Sequence, residues 1–234
     1  MDRNLSLVVS EDDVSKAISD AALWFQQCSS RYDRQVEIWL VPVLEGGLYF
    51  ANQLLREIVS KNLSSHKIVV RNMKASSYGN SEKSSGTVQI DAISSIFQEC
   101  QDKVVILLDD VYDTGRTLLA CRSYLSGFHP RALYTCTLVR KLHIPQFGRP
   151  DFAAITLPDQ FLVGCGMGDG EKHRELTALY VKQPSVSSAT SWGQTEQDLG
   201  VCQICEEAAA TIVWNNDKCV CANCNAEAYE ADKN

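Results

Sequence analysis

Two periodicities alternate along the chain. Val14, Ile18, Ala21, Ala22 and Phe25 recur at helical spacing behind Ser10-Glu11-Asp12-Asp13, a capping-box-like start with acids in the first turn, so a first helix is predicted. Apolar runs rich in Val, Ile and Leu then predict strands over about residues 36–43, 67–72, 103–109 and 132–139, with helical stretches over about 47–60, 91–99 and 116–126. Strands alternating with helices imply an α/β fold, a parallel sheet with helices on its faces. No internal repeat is present.

The run Val104-Val105-Ile106-Leu107-Leu108 is apolar at every position, as in a strand covered on both faces. It ends in Asp109-Asp110 and continues Val111-Tyr112-Asp113-Thr114-Gly115-Arg116-Thr117. Ligands of open α/β sheets sit outside the carboxyl ends of strands, and Asp113 to Thr117 offers backbone N–H groups, two hydroxyls and a helix N-terminus for a phosphate. Asp109 and Asp110 are placed to accept from ribose hydroxyls. Asp-Thr-Gly by itself also suits a plain helix cap, but capping accounts for neither the paired acids nor the buried strand. The pattern is that of a sugar-phosphate site.

This run resembles the phosphoribosyl diphosphate (PRPP) signature of the type I phosphoribosyltransferases, and over about residues 5–183 order and spacing resemble the hypoxanthine-guanine branch. That resemblance implies the rest of a site. Leu44-Glu45-Gly46-Gly47, following an apolar strand, matches the pyrophosphate loop, where glycines admit backbone amides close to an anion and where the bond joining Leu44 to Glu45 is cis in some members. Glu45 stands where the family often has a basic residue. Ser77 and Tyr78, in the polar stretch 76–86, match a lid that closes over PRPP and excludes water. Arg174 matches an arginine that binds pyrophosphate.

On the base side the resemblance assigns Arg140 to the purine 6-oxo group and N7, Phe161 to stacking on the base, and Leu162 to reading its edge through backbone groups. Arg140-Lys141 inverts the family's Lys-Arg order, so Lys141 takes the role if the backbone shifts by one residue. Gly168 falls where the family has an acid that helps hold magnesium, and Asp169, one step later, is the substitute. Asp113 is the expected general base near purine N7, with Thr114, Gly115, Arg116 and Thr117 cradling the 5′-phosphate. The implied reaction converts PRPP and a 6-oxopurine (hypoxanthine, guanine or xanthine) to a nucleoside 5′-monophosphate and pyrophosphate, with Mg2+, in a homodimer or homotetramer.

The expected domain plan is a phosphoribosyltransferase domain over 1–183, a flexible linker over 184–200 rich in Ser, Thr and Gln, and a small module over 201–234. In that module Cys202-Gln203-Ile204-Cys205 and Cys221-Ala222-Asn223-Cys224 form two Cys-x-x-Cys knuckles. Their spacing suits a structural zinc ion in a zinc-ribbon-like module, with 208–216 forming a hairpin through Ile212, Val213 and Trp214. Cys219 competes as a ligand, and disulfide or redox roles for these thiols remain alternatives. The five other cysteines, Cys28, Cys100, Cys121, Cys136 and Cys165, lie in core elements and are expected to be inert.

Composition adds exclusions. A net charge of -7 argues against generic affinity for nucleic acid. No apolar segment has bilayer length and the first residues lack a signal peptide's pattern, so a cytoplasmic location without membrane contact is expected. A second reading is a regulator of the same fold that senses PRPP or nucleotides and uses the zinc module to bind nucleic acid or a protein partner. A basic stripe would favour it, but Lys218 and Lys233 stand among several acids.

Overall fold

The computed structural model describes residues 4–77, 88–91, 94–142, 148–170, 172–182, 212–214 and 218–220. The chain divides into two compact units, Met1–Pro184 and Ser185–Asn234.

The first unit opens with strand β1 (Leu5–Val9) and helix α1 (Glu11–Ser29). Ser10 caps α1, its Oγ accepting from the Asp13 N–H at 3.1 Å, while Glu11, Asp12 and Asp13 lie in the positive first turn. Then come β2 (Ile38–Leu44), α2 (Gly47–Ser60), β3 (Ile68–Val70), β4 (Met73–Ser77), β5 (Val88–Asp91), α3 (Ser94–Gln98), β6 (Val104–Tyr112), α4 (Arg116–Ser126), β7 (Ala132–Leu142), β8 (Phe152–Pro158), β9 (Leu162–Val163) and β10 (Leu179–Lys182). Seven strands form the main sheet in the order β5-β4-β2-β6-β7-β8, with β3 also pairing β2. All its pairings are parallel except that of β4 with β5.

Alternation along the central strands divides the core. Ile38 and Leu40 of β2, with Val104, Ile106 and Leu108 of β6, pack beneath α1 and α2. Trp39, Val41, Val43, Val105 and Leu107 face the other way, against Leu118, Cys121 and Leu125 of α4 and Phe97 of α3. This two-sided burial is why β6 is apolar at every position before Asp109, and truncating a side chain such as Leu107 to Ala costs about 2–5 kcal/mol. The five buried cysteines are free, and burial pushes the thiols of Cys121 and Cys165 up to about 12 and those of Cys28, Cys100 and Cys136 upward too. They pack as small apolar groups, as expected.

Several elements differ from the sequence reading. The helix expected over 91–99 is confined to Ser94–Gln98, because Val88–Asp91 instead pairs antiparallel with β4, Ala75 opposite Ile90. The strand expected over 67–72 is the shorter β3, and a further strand, β4, follows it, both beside β2. A second sheet, β1-β10-β9, was not foreseen; its strands are short and gain their ladder bonds from segments far apart in sequence. Among the described residues no helix is long and apolar enough to cross a membrane. The second unit contains two short antiparallel strands, β11 (Ile212–Trp214) and β12 (Lys218–Val220), with Val213 opposite Cys219.

Candidate active site

The carboxyl ends of β2 and β6 lie side by side, Pro42 paired with Leu108, so the turns that follow them meet. The Leu44–Glu45 peptide bond is cis. A Cβ on Gly46 would stand 1.8 Å from an Asp110 carboxylate oxygen, and one on Gly47 would stand 2.7 Å from the Leu108 carbonyl. No side chain fits at either position, and the double glycine is what lets the Asp110 carboxyl lie against the turn after β2. Glu45 is exposed beside it.

Asp109 is 7% exposed, its Oδ1 accepting from the Asp110 N–H at 3.1 Å. Asp110 accepts from the Val111 N–H at 2.7 Å. Burial pushes both carboxyls above the usual carboxylate range, repulsion from Asp110 adds to the rise at Asp109, and the Val111 N–H, with a smaller contribution from Arg174, partly offsets it at Asp110. A buried acid beside a half-buried one suits a ligand that brings hydroxyl donors or a cation.

Beyond β6 the chain turns at Gly115, whose φ of +84° is a left-handed conformation, into α4. Gly115, the N-cap of α4, brings no side chain to the helix end, and the Arg116 N–H reaches Thr114 Oγ1 only at 3.5 Å, so the head of α4 offers N–H donors suited to an anion. A pocket of about 50 Å3 lies here, lined by Asp109, Val111 and the segment Tyr112 to Leu118. Asp113, Thr114, Gly115, Arg116 and Thr117 thus gather around one small cavity.

On the other side, adjacent residues of β7 point to opposite faces. Lys141 Nζ lies 3.3 Å from Asp113 Oδ2 and 3.1 Å from Asp159 Oδ1. Arg140 reaches Thr156 Oγ1 at 3.4 Å, and its Nε is buried without a partner among the described residues. The cation brought to Asp113 is therefore Lys141, not Arg140. Phe161 is 53% exposed, a large aromatic face free to take a flat ligand, and the neighbouring Leu162 is buried in β9. The β9 to β10 connection folds back on the turn after β2, since a Cβ on Gly166 would stand 2.3 Å from the Gly46 carbonyl.

Arg174 donates from Nη1 to the Gly166 carbonyl at 2.7 Å and from Nε to Gly170 at 3.2 Å. Its Cγ occupies the space a Cβ on Gly168 would need, 2.6 Å away. Asp169 is held by Lys182 in an ion pair that keeps its carboxyl below the usual range. Its described partner thus lies on β10. Ser77 ends β4, whereas Tyr78 and the cysteines Cys202, Cys205, Cys221 and Cys224 lie outside the described residues. Asp159 and Lys182 were not anticipated; Asp159 was legible only as part of a base-side segment, without a partner to reveal it.

The family profile for the phosphoribosyl transferase domain matches residues 12–159, more than half of the chain. The chain belongs to the phosphoribosyltransferase family. It is 31% identical over 180 residues to the hypoxanthine-guanine phosphoribosyltransferase of Aquifex aeolicus, covering 76% of this chain and 95% of that protein. The hypoxanthine phosphoribosyltransferase of Escherichia coli strain K12 is 29% identical over 178 residues, with coverages of 75% and 94%. Among solved structures, a hypoxanthine-guanine phosphoribosyltransferase from Bacillus anthracis superposes with a TM-score of 0.63 at 26% identity, covering 75% of this chain and 97% of that one.

Proposed function

We propose that this enzyme transfers the phosphoribosyl group of PRPP to a 6-oxopurine, releasing pyrophosphate and a nucleoside 5′-monophosphate in purine salvage. The observation that carries the reading is that the paired acids Asp109 and Asp110, the helix N-terminus with its small pocket, and the Lys141–Asp113 ion pair all lie at the carboxyl end of β6. The named relatives support the same substrate class.

Thr114, Gly115, Arg116 and Thr117 cradle the 5′-phosphate with backbone N–H groups and hydroxyls. Asp109 and Asp110 accept from the ribose hydroxyls and stabilise positive charge developing on the sugar. Leu44, Glu45, Gly46 and Gly47 flank the leaving pyrophosphate, with Arg174 beside them and the Ser77-Tyr78 segment excluding water. Phe161 stacks on the purine and Leu162 reads its edge through backbone groups. Lys141 donates to the 6-oxo group in place of Arg140, and Asp113 takes the proton from the purine ring nitrogen as the new bond forms.

Magnesium fits the donor set in one form. Among the described residues no cluster of three metal-ligating side chains occurs. Asp109 and Asp110 would contribute carboxylate, with diphosphate oxygens and water completing the shell, as this ion favours; Asp169, paired with Lys182, is not in this set. When bound, the ion would neutralise charge on the leaving group.

The proposal extends to the tail: a linker over 184–200 and a structural zinc ion on Cys202, Cys205, Cys221 and Cys224, with β11 and β12 in the interval between the two knuckles. Zinc at one equivalent in reduced full-length protein, lost on Cys202→Ser, is the expected result; metal-free protein would remove the zinc ion. A cytoplasmic homo-oligomer completes the reading. The enzyme assay is pyrophosphate release with PRPP and magnesium across hypoxanthine, guanine, xanthine, adenine and uracil. Turnover with a 6-oxopurine, abolished in Asp113→Asn, is expected; ligand binding with no turnover on any base would overturn the enzyme.

A further inference from the structure

Tyr112 takes no part in the reaction as described, yet it lies between the two halves of the site. It is the last residue of β6, 3% exposed, one position before Asp113. Its ring covers Gly115: a Cβ there would stand 2.5 Å from the Tyr112 hydroxyl oxygen and 2.7 Å from the nearest ring carbon. The same ring lines the small pocket at the head of α4. Its hydroxyl donates to the carbonyl of Gly148, which opens the segment leading into β8.

That segment is anchored at its far end as well. Asp151 accepts from the N–H and the hydroxyl of Thr135 on β7, each at 2.7 Å, and lies 3.3 Å from Arg122 in the middle of α4. Residues 148–151 therefore brace α4 twice: along its body through Arg122, and at its head through the Tyr112 ring against Gly115. Within the turn the Arg116 N–H reaches Thr114 Oγ1 at 3.5 Å and the Gly115 carbonyl accepts from the Leu119 N–H at 2.9 Å, both local bonds, whereas the Tyr112 ring and hydroxyl tie the turn to the segment before β8. Open N–H groups bind an anion well only when they already point at it, because ordering a loose turn on binding costs affinity.

We infer that Tyr112 is a positioning residue, holding the Gly115 turn in its anion-binding shape by tying it through the ring and hydroxyl to Gly148. The inference rests on the reading of Asp113 to Thr117 as the 5′-phosphate cradle. The hydroxyl's bond to Gly148 sets the ring's place, and the ring sets the turn's. The base side of the site has anchors of its own: the Phe161 carbonyl, just before β9, accepts from the Lys182 N–H at 3.4 Å, and Lys141 pairs with Asp159.

The test is Tyr112→Phe, which keeps the ring and deletes the tie, measured beside Thr117→Ala in the full-length protein. Loss of one hydrogen bond predicts a rise of about fivefold in KM for PRPP, and in its directly measured Kd, with kcat and the KM for the purine within about twofold of wild type. A merely structural tyrosine would lower the thermal midpoint and leave the KM for PRPP alone, which would overturn the assignment. If Thr117→Ala weakens PRPP and Tyr112→Phe does not, the strut fails while the cradle stands. If neither variant weakens PRPP, the cradle reading fails and the strut with it.

Discussion

The phosphate half and the base half of the site are built by different means. The phosphate half is one uninterrupted stretch, Asp109 to Thr117, at the end of a fully buried strand, and its ligand groups are largely backbone N–H groups and acids within the core's edge. The base half is assembled from β7, the end of β8 and the start of β9, and its groups are side chains: a half-buried Lys141 between two exposed acids, and Phe161 standing in solvent. Backbone donors at a strand end are set by the fold itself. Side chains at an open rim depend on which face a residue happens to occupy, so a shift of one position changes the chemistry. The first half is suited to a constant group, phosphoribose, and the second to choosing among bases.

The strongest way to break this division is Asp113→Asn, at the junction. Turnover should fall about 10²- to 10⁴-fold, the usual worth of a general base, with the KM for PRPP nearly unchanged in steady-state assays. A variant that instead loses PRPP affinity would move Asp113 into the phosphate half. Next, Lys141→Ala should raise the KM for the purine about 10- to 100-fold, as for a lost charged hydrogen bond, and Arg140→Ala far less. The opposite ranking in the same assay would return the role to Arg140. Phe161→Ala should weaken the purine by about 5- to 50-fold through lost stacking. Because the ring is 53% exposed, calorimetry should show an unchanged thermal midpoint; a drop would make Phe161 a packing residue.

The smallest effect should be on stability. In the ligand-free protein the acid pair binds its proton more tightly folded than unfolded, so stability falls as pH rises from the ordinary aspartate value of 3.8 through the pair's elevated one. Asp109→Asn should flatten that slope in urea titrations and raise the thermal midpoint at neutral pH by about 2–4 °C per kcal/mol recovered, while weakening PRPP. An unchanged or steeper pH slope would show that the acid pair is not the source.

This contrast also governs what could be read in the amino-acid order. The phosphate half was legible because strand, acids and turn are contiguous. Lys141 was not separable from Arg140, since which of two neighbours faces inward depends on where β7 begins its alternation. Asp169 was placed by counting along the chain, whereas its partner Lys182 comes from β10, and no local pattern reports such a contact. The sheet β1-β10-β9 escaped notice for the same reason: β1 and β10 join the two ends of the domain, and β9 is only two residues long. Val88–Asp91 has a strand's alternation, but the segment that follows turns helical at once, and one mixed window blurs both.

The parallel ladder between β2 and β6 joins segments dozens of residues apart, and with it Gly46 meets Asp110. An unfolded chain therefore carries no partial version of this site, and substrate has affinity for the folded form alone. Binding then acts as a force on folding: at a hundred times its dissociation constant, PRPP adds about 2.7 kcal/mol to stability. The amount of intact enzyme surviving degradation in a cell would thus rise and fall with the supply of its own substrate.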